Sequence, residues 1–370
     1  MSDKTEMSLF MGPQHPSMHG LWSLRMTIDG ETIVNSDCQI GYLHRSYEKL
    51  LANRPYEQGI PITDRLCYVE SHNYSIGYAH AIEGIMGVES PEKANWIKIM
   101  TTEIQRIASH CLWLAAFSVD LGALTMLIYP MTAREHMLGL LETITGARMT
   151  YNFARIGGVA HDLPHDITKK VENSLDQFDQ LQGEFKDMLE EAQIFRIRSE
   201  GIGYLSKEKA LSMGVSGPML RASGIDYDIR KVDPYFGYDQ LKFKTITRTE
   251  GDSFARYRVR LDEMEESMAI VLQALDKYNE MKPSDPHRLE KIPRRPPKEI
   301  KEVYRRIECA RGELGYHLQS DGSNSPYRVR IRSPTFNNLQ TIPPLIKGGK
   351  LADVPAVMGT VDLCVGDLDK

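Results

Sequence analysis

The chain has 370 residues, 41% of them hydrophobic, and a formal net charge of -5. That is enough apolar material for one large domain or two ordinary ones, and it excludes a disordered chain. The acidic balance leaves no basic surplus for a phosphate backbone, which argues against nucleic acid as a partner.

Near the start, Gly12-Pro13-Gln14-His15-Pro16-Ser17-Met18-His19-Gly20 reads as a constrained loop. His15 and His19 stand four apart, a spacing that suits metal ligands on a helix, but Pro16 between them opposes that helix. From Trp22 the apolar residues Trp22, Leu24, Met26 and Ile28 alternate. Asp29-Gly30 then turns the chain into Thr32-Ile33-Val34, which predicts a β-hairpin. Asp64-Arg65-Leu66-Cys67-Tyr68 follows.

Apolar spacing at Ile97, Met100, Ile104, Ile107, Cys111 and Ala115 predicts a core helix. The nearly charge-free run from Ile107 to Ala133 is long enough to span a bilayer, yet Asp120-Leu121-Gly122 and Pro130 interrupt it. It reads as a buried helix followed by an irregular turn. Asp120 stands out there, because a buried carboxylate must be paired or protonated.

Two more helices are predicted by Ile167, Val171, Leu175, Phe178, Leu181, Phe185 and Met188, and by Leu261, Met264, Met268, Val271 and Leu275. Gly201-Ile202-Gly203 lacks the third glycine of a dinucleotide fingerprint, and there is no Walker loop. Glu190-Glu191 and the cluster Glu263, Glu265 and Glu266 read as solvated helix faces. Pro283 ends the last helix, Ile292 to Pro297 is a stiff connection, and a second hairpin runs from Leu314 through Ser320-Asp321-Gly322-Ser323 to Ile331.

The pattern predicts a mainly helical α+β protein with strands near both ends. It divides one domain, 1–370, into an amino-terminal hairpin and loop (1–66), a helical bundle (67–282) and a Pro-rich connection, hairpin and tail (283–370). Cys38, Cys67, Cys111, Cys309 and Cys364 are odd in number and scattered, with no Cys-x-x-Cys pair and no secretory signal before them. They predict a reducing cytoplasm and no complete zinc or iron-sulfur ligand set.

The first loop and the Asp64 to Tyr68 segment together resemble the signature of the 49-kDa (D) subunit of respiratory complex I. So do Ile40 to Arg45, Asp120 to Ala123, Arg155 to Val159, Leu220 to Gly224 and Ala310 to Gly315. The resemblance implies a peripheral subunit on the cytoplasmic face of the membrane, within an ion-translocating oxidoreductase.

In that family His19 and Tyr68 match the residues that hold a lipophilic carrier, Asp120 matches the carboxylate paired with the histidine, and Arg45 lies near the terminal iron-sulfur cluster. The cluster belongs to a small partner subunit, with other peripheral-arm and membrane-arm subunits around it. The carrier is a quinone or, in the archaeal reduced-deazaflavin dehydrogenases, methanophenazine. The chemistry suits the residues: a ring taking two electrons needs two protons, and an imidazole of pKa about 6.5 beside a phenol of about 10 can supply them.

The resemblance extends to the large subunits of nickel-iron hydrogenases, which implies their fold. Their metal site needs two cysteine pairs. Cys67-Tyr68-Val69-Glu70 and Cys364-Val365-Gly366-Asp367 keep only the first cysteine of each. Two thiols with two carboxylates are a poor substitute for four soft ligands, so no metal is assigned. An energy-converting hydrogenase subunit and a purely structural subunit are the alternatives. Met18, Ser46 and Cys67 depart from the complex I pattern beside the site residues, which implies a carrier of unusual shape or potential.

Overall fold

A computed structural model describes residues 6–297 and 300–370. Three strands open the chain, β1 (Glu6–Met11), β2 (Ser23–Asp29) and β3 (Thr32–Gln39), paired antiparallel in sequence order. The alternation from Trp22 to Ile28 is realised in β2, and all four apolar side chains are buried. β1 adds a third strand to the predicted hairpin. Its own residues are mostly exposed, so it carries little periodic signal.

The middle of the chain is a bundle of five long helices: α1 (Ser71–Met86), α2 (Glu92–Asp120), α3 (Ile128–Thr145), α4 (Ile167–Glu191) and α5 (Ser253–Glu280). Helix α2 is the axis, packed against α3 on one side and α5 on another. It is buried nearly all round, as a central helix must be. It ends at Asp120, and the irregular turn runs through Gly122, whose φ of 85° is a conformation glycine adopts without strain. Pro130 falls in the first turn of α3, where its missing N–H costs no helical hydrogen bond. No helix among the described residues is long and apolar enough to cross a membrane.

Three further antiparallel strands follow, β4 (Glu302–Cys309), β5 (Gly312–Gln319) and β6 (Arg328–Arg332). The predicted second hairpin is β5–β6, and β4 pairs ahead of it with Cys309 opposite Gly312. Only Ala310 and Arg311 connect β4 to β5. This sheet packs on α1.

The two ends of the chain share a second apolar core. Met18, Trp22, Leu24 and Met26 from the first segment meet Val357, Met358, Val361 and Val365 around helix α6 (Val354–Val361). Helix α6 in turn packs on α2 and α5. The Asp369 carboxylate accepts the backbone N–H groups of Gly41 and Leu43, both at 2.8 Å, and so fixes the Ile40 to Arg45 loop.

Charge is buried along the bundle axis. Glu103 on α2 accepts from Arg106 (3.0 Å), Arg230 (3.1 Å), Tyr238 (2.6 Å) and Ser267 (2.8 Å). Desolvation is the largest influence and pushes its carboxyl up, but Arg106 and Arg230 together with these hydrogen bonds outweigh it and bring the pKa down to about 2. Glu263 corrects the solvated-face reading of its cluster. It is buried, with Arg221 at 2.7 Å and His110 at 3.3 Å, while Glu265 beside it is exposed. A glutamate with partners on both neighbouring elements reads as polar surface when only its own helix is in view.

Removing the Glu103 charge leaves the buried Arg106 guanidinium without its acidic partner, while Arg230 keeps Asp228 at 2.6 Å. Glu103→Gln is therefore expected to lose about 3–5 kcal/mol, read as a lower urea midpoint at unchanged slope. An unchanged midpoint would contradict the account of the buried network.

Candidate active site

The first histidine loop begins where β1 ends. Gly12 accepts the His15 N–H at 3.1 Å, Pro16–Met18 forms a single 3-10 turn, and the Met18 carbonyl accepts the Trp22 indole N–H at 2.7 Å. Met18 is buried in the second core and does not line the cavity beside His19. His19 follows with φ 50° and ψ 30°, left-handed values uncommon outside glycine. Such strain persists only where surrounding packing enforces it.

This turn brings His19 to the end of α2, with Nε2 3.1 Å from Asp120 Oδ2. The Asp120 side chain is 7% exposed and the His19 side chain 33%. His15 is exposed and accepts the Ser17 N–H on its own Nδ1, away from this pair.

Asp120 has close neighbours on α6. A Cβ on Gly359 would lie 2.9 Å from the Phe117 ring and 3.2 Å from Asp120 Oδ2. The Gly359 carbonyl also accepts the Trp113 indole N–H at 2.7 Å. Glycine at 359 therefore permits α6 to lie against the last turns of α2.

Tyr68 lies in the turn before α1, closed by the Glu70 N–H on the Cys67 carbonyl at 3.2 Å. His19 and Tyr68 line one cavity of about 280 Å³, together with Leu112, Trp113, Arg311, Asp362 and Cys364. Asp120 stands behind His19. Tyr68 forms the rim and is 58% exposed, so the cavity is open on that side.

Arg311 is the buried centre of the site. From the turn between β4 and β5, its guanidinium donates to Glu70 (3.0 Å), Ser109 (3.2 Å) and Asp362 (2.7 Å) and approaches the Cys67 sulfur at 3.8 Å. Sequence reasoning missed Arg311 and Asp362. Arg311 falls within the Ala310 to Gly315 segment and Asp362 two residues before Cys364, and the compact Cys309-Ala310-Arg311-Gly312 turn was the available signal.

The close contact with the Asp120 carboxylate raises the His19 pKa above its ordinary value against the opposing effect of burial, and the Asp362 charge adds to the rise. Partial desolvation in the cleft pushes the Tyr68 phenol up. The pair is thus an imidazole biased toward its protonated form beside a phenol that holds its proton.

Arg45 does not reach this cavity. It is exposed, stacked over the Tyr47 ring at 4.7 Å, and donates to the Arg65 carbonyl at 3.4 Å. Ser46 next to it has a φ of 56°, which accounts for glycine being common there in the pattern the chain resembles. Of the acids replacing the second cysteine of each pair, Glu70 is engaged by Arg311 and by the Ala310 N–H at 2.6 Å, and Asp367 by the Ser333 hydroxyl. A larger groove of about 830 Å³ runs past Arg155, His287 and Arg288, and includes none of His19, Tyr68 and Asp120.

Residues 120–370 match the family described as respiratory-chain NADH dehydrogenase, 49 Kd subunit. Over 370 residues the chain is 43% identical to the NADH-quinone oxidoreductase D subunit of Desulforamulus reducens, covering 100% of both. It is 40% identical over 375 residues to the F(420)H(2) dehydrogenase D subunit of Methanosarcina mazei, covering 100% of this chain and 99% of that one. Among solved structures, a chain of the membrane-bound sulfane sulfur reductase, an archaeal respiratory membrane complex, superposes with a TM-score of 0.92 at 35% identity and 100% coverage of both. The chain belongs to the 49-kDa subunit family of the respiratory-chain NADH dehydrogenases.

Because Asp120 raises the His19 pKa, Asp120→Asn is expected to move the His19 titration, followed by its imidazole NMR signals, to lower pH. The sign for stability follows. A raised folded-state pKa stabilises fully below the unfolded value near 6.5 and ceases to do so as pH rises through the folded value. The melting difference between wild type and Asp120→Asn should therefore be larger at pH about 6 than at about 9. A His19 titration unmoved by the substitution would contradict the pairing.

Proposed function

We propose that this chain is a catalytic core subunit of a membrane-associated, ion-translocating respiratory dehydrogenase, and that its cavity receives the head ring of a lipophilic carrier, a quinone or methanophenazine. The observation that carries the reading is the contact of His19 with Asp120 at a cavity rimmed by Tyr68. Three segments far apart in the chain supply one carboxylate, one imidazole and one phenol, the set a two-electron, two-proton reduction needs.

In this reading electrons arrive one at a time from an iron-sulfur cluster in a small partner subunit. Tyr68 and His19 hydrogen-bond the polar atoms of the ring and deliver protons, and Asp120 orients and recharges His19. The open side of the cavity and the exposed apolar residues just after Asp120 support a partner there: Leu124 is 70% exposed and Ile128 63%. Other peripheral-arm and membrane-arm subunits complete the complex. Arg45, outside the cavity, belongs in this proposal to the surface that meets the partner's cluster.

Deprotonation of His19, or a change in its contact with Asp120, is the event that would be coupled to ion pumping. With no helix suited to crossing a bilayer among the described residues, the proposal has the chain docked peripherally on the cytoplasmic side. A fold like the hydrogenase large subunits is part of the same reading, supported by Arg311, which approaches the Cys67 sulfur at 3.8 Å and lines the same cavity as Cys364.

Tyr68→Phe keeps the ring and deletes one hydroxyl. Carrier reduction by the assembled complex is expected to fall by about a hundred- to ten-thousand-fold, while electron transfer from the donor to an artificial dye survives. Wild-type carrier reduction would leave Tyr68 a packing residue and overturn its role.

A further inference from the structure

Trp113, on α2, lines the cavity together with His19 and Tyr68, and only 5% of it is exposed. Three contacts hold its indole. The ring N–H donates to the Gly359 carbonyl at 2.7 Å, the Phe117 ring is stacked on it with centroids 5.2 Å and planes 15° apart, and the Arg260 guanidinium lies over it at 4.2 Å. Phe117 and Arg260 are themselves buried, so packing fixes the indole in place.

Arg260 makes no ion pair with a carboxylate among the described residues and donates instead to the backbone carbonyls of Arg256 (3.2 Å) and Thr360 (3.1 Å). Burial lowers its pKa to about 10, which leaves it charged at neutral pH. A desolvated cation is held more strongly by an aromatic face than one in water, and it draws the ring's electron density toward itself. The C–H rim, already the positive part of an aromatic quadrupole, becomes more positive.

We propose that Trp113 is the specificity-determining wall of this cavity, and that its polarised C–H edge selects a carrier with a fused-ring head, a naphthoquinone or a phenazine, over a single-ring benzoquinone. The inference rests on the carrier-site reading given above and narrows it. With its N–H on Gly359 and its ring engaged by Phe117 and Arg260, the indole meets a ligand edge-on. Such an edge prefers the electron-rich face of a second ring. The ring of a benzoquinone is electron-poor, because two carbonyls draw density out of it, whereas the fused benzo ring of a naphthoquinone or a phenazine keeps a negative face. Val69, Leu112 and Leu363 line the same cavity, and a second ring buries more apolar area against them than a single ring does. The polar groups cannot make this choice. All three carriers hold two polar atoms across one ring, so His19 and Tyr68 find equivalent partners in each, and discrimination falls to the apolar wall.

The test measures kcat and KM of the intact membrane complex with a naphthoquinone and a benzoquinone that carry the same short prenyl chain. The wild type should have the lower KM for the naphthoquinone. Trp113→Leu keeps an apolar wall but removes the aromatic edge, so it should raise the naphthoquinone KM by about two- to ten-fold and leave the benzoquinone KM nearly unchanged. Trp113→Phe, which supplies an aromatic edge again, should recover most of the preference. Complexes are compared where the partner's cluster keeps its wild-type spectrum. A wild type with the lower KM for the benzoquinone would overturn the proposal, and that measurement needs no variant to fold. So would a Trp113→Leu complex in which both KM values move by the same factor, or neither moves. The ratio of the two KM values tests Trp113 alone, whereas turnover in Tyr68→Phe tests whether the cavity is the carrier site, so the two failures are distinct.

Discussion

The site depends on one buried guanidinium. Arg311 projects from a two-residue turn between β4 and β5 and is held by Glu70 ahead of α1, Ser109 on α2 and Asp362 at the end of α6. A charge removed from water at this depth is tolerable only with partners on several sides, and each partner here comes from a different part of the chain. Arg311 therefore fixes the Tyr68 turn against the carboxyl-terminal helices. Without it Glu70 and Asp362 would be two buried acids with no guanidinium between them.

The cavity lies beside both apolar cores. The bundle core supplies the end of α2 and with it Asp120, and the core shared by the chain ends holds Met18 and so the loop that presents His19. The left-handed backbone of His19 and the missing side chain at Gly359 are both consequences of bringing these bodies close enough for a 3.1 Å contact. His19 and Tyr68 then occupy a cleft that is partly desolvated, where each charge acts more strongly than it would in water.

Much of this was readable before any coordinates. β2 and β3 announce themselves by period-two alternation around Asp29-Gly30, and α2, α4 and α5 by apolar residues at helical spacing. Helix α1 is harder to read because it is buried nearly all round, with Ser71, His72, Asn73, Ser75 and Gly77 packed in the core beside Tyr74, Tyr78, Ile82 and Ile85, so its apolar stripe is blurred by buried polar residues. Strand β4 escaped because its central residues are charged and half exposed. Asp120 was conspicuous as a lone carboxylate in an apolar run, yet its distance from His19 depends on a loop 101 positions away. Glu263 was misread because its partners, His110 and Arg221, are 153 and 42 positions distant. Local pattern reports which faces are apolar, and long-range charge pairing leaves no local mark.

The central claim is that the Asp120 carboxylate keeps His19 charged and resupplies its proton while the carrier is reduced. The most direct measurement is the pH profile of carrier reduction in matched membranes for wild type and Asp120→Asn, normalised to assembled complex. The account predicts a deficit that deepens from acidic to alkaline pH, because the unsupported imidazole loses its proton earlier, with donor-driven reduction of the partner's cluster unchanged. A profile lowered by the same factor at every pH, or one identical to wild type, would contradict it.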